Sequence, residues 1–148
     1  MCIRDRTSTV RDLTRSELME IEASATKPSN GVADHISVEF MKAKPGKDGD
    51  YYNAEKNFWQ KVHQIRVNAG DMNAWFFCSR MFPSGTDSDF DYVTVNEYPA
   101  KEPVLDRAKI EAAMSKEDLA KYVEASTLRT MIRTEIWHPL LQTSAPKK

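Results

Sequence analysis

Two segments of this chain, Met72 to Phe82 and Phe90 to Tyr98, read as strands with apolar side chains on both faces. In the first, Trp75, Phe77 and Met81 alternate with Ala74, Phe76, Cys78 and Phe82; in the second, Val93 and Val95 alternate with Phe90, Tyr92 and Tyr98. Successive strand residues point to opposite sides of a sheet, so a sheet built from these segments needs cover on both sides. The intervening Pro83 to Asp89 has the composition of a hairpin loop and pairs the two strands antiparallel. Helices can cover one side, and the other calls for a partner.

The remaining elements follow from periodicity. His35 to Lys42 places Ile36, Val38 and Phe40 on one strand face, and Lys44 to Asp50 breaks the pattern. From Tyr51 to Ala69 the set Tyr51, Ala54, Phe58, Val62, Ile65 and Ala69 keeps helical spacing, with Asp48 or Asp50 as N-cap and Gly70 as stop. Glu102 to Ala113 reads as a short helix. Ser115-Lys116-Glu117-Asp118 then caps another, with the row Leu119, Val123, Thr127 and Met131. Arg133 to Leu140 is a final strand halted by Pro139. The order strand, helix, strand, strand, helix, strand predicts an α+β, ferredoxin-like βαββαβ module with both helices on one sheet face.

A chain of 148 residues with 41% apolar and 29% charged content supports one core without disulfide or metal staples. A formal charge of -1 argues against a broad basic face for nucleic acid or anionic membrane, and no apolar run is long enough to span a bilayer. Met1 to Arg6 reads as translated sequencing adapter from the end of a metagenomic contig. Thr9 to Met19 matches Thr127 to Trp137 without gaps, which predicts that residues 7–20 are the tail of a truncated preceding module. Residues 21–33, small and polar with Pro28 and Gly31, read as a linker; residues 34–141 form the module and 142–148 a polar tail. With the natural start expected to be missing, the lack of a signal peptide leaves the compartment open. Removing Cys2 with the adapter leaves Cys78 and no disulfide framework.

Val38 to Lys47, Glu55, Phe58-Trp59, His63-Gln64, Trp75 to Met81, Phe82 to Thr86 and Phe90 to Val95 together resemble bacterial members of the dimeric α/β-barrel superfamily. Its members include antibiotic-biosynthesis monooxygenase-like, haem-degrading, chlorite-dismutase-like and stress-responsive proteins. The resemblance spans about residues 34 to 140. It implies that two sheets pack face to face into a barrel, either between two copies or with the lost preceding module, and that ligands lie between sheet and helices. Cofactor-independent monooxygenases of the superfamily use pocket Asn, Trp and His, residue types present here as Asn73, Trp59, Trp75 and His63.

Beside the core row, Tyr52, Glu55, Trp59, His63 and Arg66 form a flanking stripe on the long helix. His63 is the candidate catalytic residue, as a general base near neutral pH, and Tyr52, Trp59, His63, Asn73, Trp75 and Tyr92 are the ligand-pocket candidates. No cofactor is assigned: haem ligation by His63 or His138 has no motif behind it, and metal-ligand spacing is lacking. His35 and His138 read as solvent-exposed, Cys78 as a buried inert thiol, and Arg133 with Glu135 as a structural ion pair. Asp87, Asp89 and Asp91 lack the Gly and Glu of a calcium loop and read as a solvated hairpin tip. The opening Met114 to Val123 lacks a basic recognition helix and does not support DNA binding. The expected function is a small-molecule-binding dimeric barrel module with a non-catalytic ligand-binding or assembly role. The alternative is a monooxygenase-like or isomerase-like enzyme acting on a small aromatic or polycyclic compound.

Overall fold

The alternation of apolar residues resolves, in a computed structural model, into a five-stranded antiparallel sheet with its helices packed on one face. The structure describes residues 16–27, 33–85, 88–99, 107–125 and 127–140. The expected adapter and most of the expected preceding module, residues 28–32 of the linker, residues 102–106 and the polar tail lie outside them, as do the side chains of Leu119 and Val123.

The elements in chain order are β1 (Leu18–Thr26), β2 (His35–Ala43), α1 (Asp48–Ala54), a π-helical turn (Glu55–Trp59), α2 (Gln60–Ala69), β3 (Ala74–Phe82), β4 (Tyr92–Tyr98), α3 (Arg107–Ala113), α4 (Lys116–Ala125) and β5 (Arg129–Trp137). The α1, π-helical and α2 segments run on as one helix, because the residues at their junctions keep right-handed helical dihedrals. The strand order is β1-β3-β4-β2-β5, with every pair antiparallel.

β1 corrects the expected linker boundary. Residues 21–26 are strand, registered against β3 from Ala25 opposite Trp75 to Ile21 opposite Cys78. The small residues that suggested a linker serve close approach instead, since Ala23 and Ala25 are buried in the core cluster that Tyr51 and Val67 of the long helix complete. A bulge at Glu22 changes the facing of β1: Ala23 pairs with Phe77 on the helix side, whereas Ile21 pairs with Cys78 on the other side and is exposed.

The two-sided strands do what their pattern requires. β2 is buried on both faces at Ser37 with Val38 and again at Phe40 with Met41. On the inner, helix-covered face, Trp75, Phe77, Met41 and Tyr51 form the main cluster, each at most 1% exposed. Aromatic side chains of this size remove roughly 150–250 Å² each from water, so this cluster dominates the burial. On the outer face Val38, Phe40, Cys78, Phe90 and Val93 form a second cluster. The Arg133 guanidinium lies 3.6 Å from the Phe40 ring centroid, and Arg80 lies 5.1 Å from that of Phe90. A third cluster, Phe58, Val62 and Ala125, fastens the long helix to α4.

Helix ends follow local rules, with one correction. Gly70 has φ 83°, donates to Val67 O at 3.2 Å, and is followed by Asp71 donating to Arg66 O at 3.0 Å, a Schellman stop at the expected residue. Asp48 and Asp50 occupy the first turn rather than the cap position, where Lys47 stands, so they favour the helix through its dipole. Ser115 Oγ accepts from Asp118 N at 3.1 Å and caps α4 as expected. The final strand starts at Arg129 rather than Arg133 and ends at Trp137, before Pro139, because pairing with β2 extends to Ala43.

The hairpin carboxylates also differ from expectation. Asp91 is an anchor: Lys42 Nζ donates to its Oδ1 at 2.8 Å and Ala43 N to its Oδ2 at 3.1 Å. Asp89 pairs with Arg133 at 3.5 Å, and Asp87 lies outside the described residues. His138 is exposed as expected, but His35 is half-buried and stacks on Tyr98 with centroids 5.0 Å apart.

Candidate functional site

The π-helical turn decides which side chains meet the sheet. A helix with 3.6 residues per turn keeps i, i+3 and i+4 positions on one face; a turn with one surplus residue rotates everything after it relative to everything before. The expected core row therefore does not run through. Tyr51, Phe58 and Val62 are buried, but Ile65 is only half-buried and Ala69 is exposed, while Glu55, His63 and Arg66 of the expected flanking stripe are buried instead. Three polar side chains are thus pressed against the inner sheet face. The sheet answers with Ser37 and Glu39 of β2 and Thr94 and Asn96 of β4, the polar members of strands whose other face is apolar.

Between helix and sheet lies a cavity of about 200 Å³, lined by Glu39, Met41, Glu55, Trp59, His63, Arg66, Trp75, Thr94, Asn96, Tyr98 and Arg129. Of the expected pocket residues, Trp59, His63 and Trp75 line it. They belong to a row of stacked rings: Trp59 to His63 at 5.8 Å, His63 to Trp75 at 4.8 Å, Trp75 to Phe77 at 6.4 Å and Phe77 to Tyr92 at 5.2 Å between centroids, with interplanar angles of 7° to 28°. Tyr92 stands at the far end of that row and donates to Asp48 Oδ1 at 2.9 Å. Tyr52 belongs to a separate polar group, where it donates to Glu22 Oε2 at 2.6 Å and accepts from Lys56 Nζ at 2.7 Å. Asn73 is away from the cavity, and its Nδ2 is buried without a partner.

His63 does not fit the general-base role expected of it. Burial, reinforced by the Arg66 charge, pushes its pKa down to about 3, so the ring is neutral across the physiological range. Arg66 Nη1 lies 3.4 Å from His63 Nδ1, and because a guanidinium only donates, Nδ1 accepts and the proton sits on Nε2. The group that titrates near neutrality is Glu55. Burial pushes its carboxyl up to about 7, against the opposing pull of the Tyr51 hydroxyl and the Arg129 charge and with a smaller push from Glu39. Tyr51 Oη also lies 2.8 Å from Met41 Sδ. Tyr98 carries its hydroxyl among these groups, its pKa raised by burial with Arg66 working against it.

Glu39, Glu55, Arg66, Thr94, Asn96, Tyr98 and Arg129 were not among the expected site residues. The signal that finds three of them is in the strands: Glu39, Thr94 and Asn96, together with Ser37, alternate with Val38, Phe40, Val93 and Val95, which places them on one face. A larger groove of about 430 Å³ opens between the first turns of the long helix and α4, lined by Asp50, Asn57, Lys61, Asp118 and Glu124 among others. Most of these charged groups are exposed, so the smaller cavity, with its buried and mutually perturbed groups, is the candidate site. Cys78 lies on the outer face, its thiol pushed up by burial, which keeps it protonated and unreactive.

Among the described residues, no cluster of three or more His, Cys, Asp or Glu side chains is placed to hold a metal ion, and no helix is long and apolar enough to cross a membrane. No family model, no curated protein and no solved structure matches the chain.

Proposed function

We propose that this chain is a small-molecule-binding module that takes its ligand between the long helix and the sheet and works as a pair of ferredoxin-like units closed into a barrel. The observation that carries the ligand reading is the cavity itself: a row of stacked aromatic rings on one side and buried polar groups on the other, in a space of about 200 Å³. At about 30 Å³ per water that is room for roughly six or seven waters, which suits a single-ring compound and is too small for a polycycle or a porphyrin. The order β3-β4-β2-β5, with helices after β2 and β4, supports the ferredoxin-like reading, β1 being an addition at the β3 edge. The outer face supports pairing with a second copy. Its buried apolar cluster is rimmed by exposed apolar residues, Ile21 and Phe82 at 63% and Trp137 at 51%, which follow the sheet to both edges.

One observation favours an enzyme as the second reading: Glu55, with its pKa near 7 inside the cavity, is poised for proton transfer of the isomerase type, a role that falls to it rather than to His63. Native mass spectrometry of the full chain tests the main reading. A dimer carrying an extra small-molecule mass is the expected result. A bare monomer at micromolar concentration would overturn both the pairing and the ligand reading.

A further inference from the structure

Two neutral polar groups in the cavity wall have one end of their hydrogen-bonding capacity engaged and the other open. His63, 9% exposed, accepts at Nδ1 from Arg66 Nη1 at 3.4 Å, so its proton is on Nε2, and among the described residues nothing accepts from that N–H. Asn96, 3% exposed, donates from Nδ2 to Ser37 O at 3.4 Å. A backbone carbonyl accepts and cannot donate, so the engaged end of the amide is its NH2, and among the described residues nothing donates to Oδ1. Neither atom is sealed in without a partner, as Arg66 Nε, Arg129 Nε and Asn73 Nδ2 are. Each therefore borders open space, and both residues line the cavity.

The fold brings these two groups together around one side chain. Asn96 of β4 is registered opposite Trp75 of β3, and the His63 ring stacks on that indole with centroids 4.8 Å apart and planes 18° from parallel. His63 also stacks on Trp59 at 5.8 Å, so its ring is held by its faces and offers its edge. An open N–H near an open amide oxygen matches a ligand that carries an acceptor next to a donor. On one small flat ring, which is what about 200 Å³ admits, that pair is a lactam edge, C=O beside N–H. Charge narrows the class further: the Arg66 guanidinium beside His63 repels a cation, and the Glu39 carboxylate in the same wall repels an anion. We propose that the ligand is a neutral single-ring lactam, its carbonyl accepting from His63 Nε2–H and its ring N–H donating to Asn96 Oδ1. The proposal rests on the ligand-binding reading above and adds the chemistry of the ligand.

Isothermal titration calorimetry of the full chain with 2-pyridone, with 2-pyranone, which has the same outline but a ring oxygen in place of the N–H, and with phenol tests it. The lactam 2-pyridone is expected to bind, and 2-pyranone to bind about tenfold more weakly or worse, because its ring oxygen would face the Asn96 oxygen. Asn96→Leu should bring 2-pyridone down to the level of 2-pyranone and leave 2-pyranone no weaker. His63→Phe keeps a stacked ring but removes the Nε2–H, and should weaken both by about tenfold. If either variant fails to fold, the comparison of 2-pyridone with 2-pyranone on the unaltered chain decides. Equal affinity for those two overturns the lactam proposal and leaves the small-molecule reading standing. Phenol binding more tightly than 2-pyridone, its one hydroxyl meeting both groups, also overturns it. Binding of none of the three overturns the lactam alone if the native spectrum carries an extra mass. With no extra mass it overturns the proposal and the ligand-binding reading together, and water alone then meets His63 Nε2 and Asn96 Oδ1.

Discussion

The two faces of the sheet are made by the same strands and have opposite characters. The face covered by helices, where an ordinary α+β protein keeps its driest core, buries Ser37, Glu55, His63, Arg66, Thr94 and Asn96 among its aromatic rings. The face without helices packed on it among the described residues buries only apolar side chains in its cluster, Val38, Phe40, Cys78, Phe90 and Val93, and keeps the guanidiniums of Arg80 and Arg133 over the rings. Polar groups in a covered layer cost stability unless each is satisfied, and apolar groups in a less covered layer invite association. The difference makes polar satisfaction the constraint on the inner face and apolar cover the constraint on the outer one.

The contrast is sharpest in response to acid. The neutral His63 of the folded protein has a pKa of about 3, far below its unfolded value, so the unfolded state takes up a proton first as pH falls from about 6.5 toward 3. The loss of stability across that window should approach roughly 5 kcal/mol, and His63→Gln should remove it in urea titrations at successive pH values. Next in size is Trp75→Ala, which opens a fully buried site in the inner layer and should cost about 3–5 kcal/mol by the same measurement. A loss under 1 kcal/mol would mean that the ring stack is not what holds the helix to the sheet.

Glu55 acts in the opposite sense to His63. Its folded pKa lies above the unfolded value, so its favourable contribution is complete below about pH 4.5 and is lost as pH rises to about 7. Glu55→Gln should therefore leave stability unchanged in acid and raise it by roughly 3 kcal/mol at and above pH 7, measured by chemical denaturation. The smallest expected effect is on the outer face. Arg133→Met removes the cation from above Phe40 and the 2.8 Å bond to Glu135, both partly exposed, and should cost only about 1 kcal/mol with no pH signature of the inner kind. A pH-dependent loss at Arg133 comparable to that at Glu55 would erase the distinction between the faces.

How much of this was legible in the sequence varies by element. The helix from Tyr51 to Ala69, its stop at Gly70 and the two-sided strands were readable because apolar period and glycine chemistry are local. The row that faces the sheet was not. A surplus residue in one helical turn leaves no mark on composition, and a strict 3.6 period assigns Glu55, His63 and Arg66 to the flank that they do not occupy. β1 was hidden for the converse reason: Ala23, Ser24 and Ala25 have weak strand preference, and what makes them strand is the register with Trp75 to Phe77 and the nearness of the helix. In the site, Trp59, His63 and Trp75 were found through residue type alone. Arg129 and Tyr98 were missed because only the pairing of β2 with β4 and β5 brings them to one face, with Tyr98 opposite His35 at one end of β2 and Arg129 opposite Ala43 at the other.

The five-residue π-helical turn at Glu55 to Trp59 also bears on how such a site arises. Substitutions alter one side chain at a time, and each polar group introduced into a packed layer must be accommodated singly. A surplus residue instead re-phases a whole helix against its sheet, exchanging the inward and outward rows in one step. A single inserted codon is therefore enough to exchange the row of side chains that a helix presents to its sheet, with later substitutions left only to refine the packing.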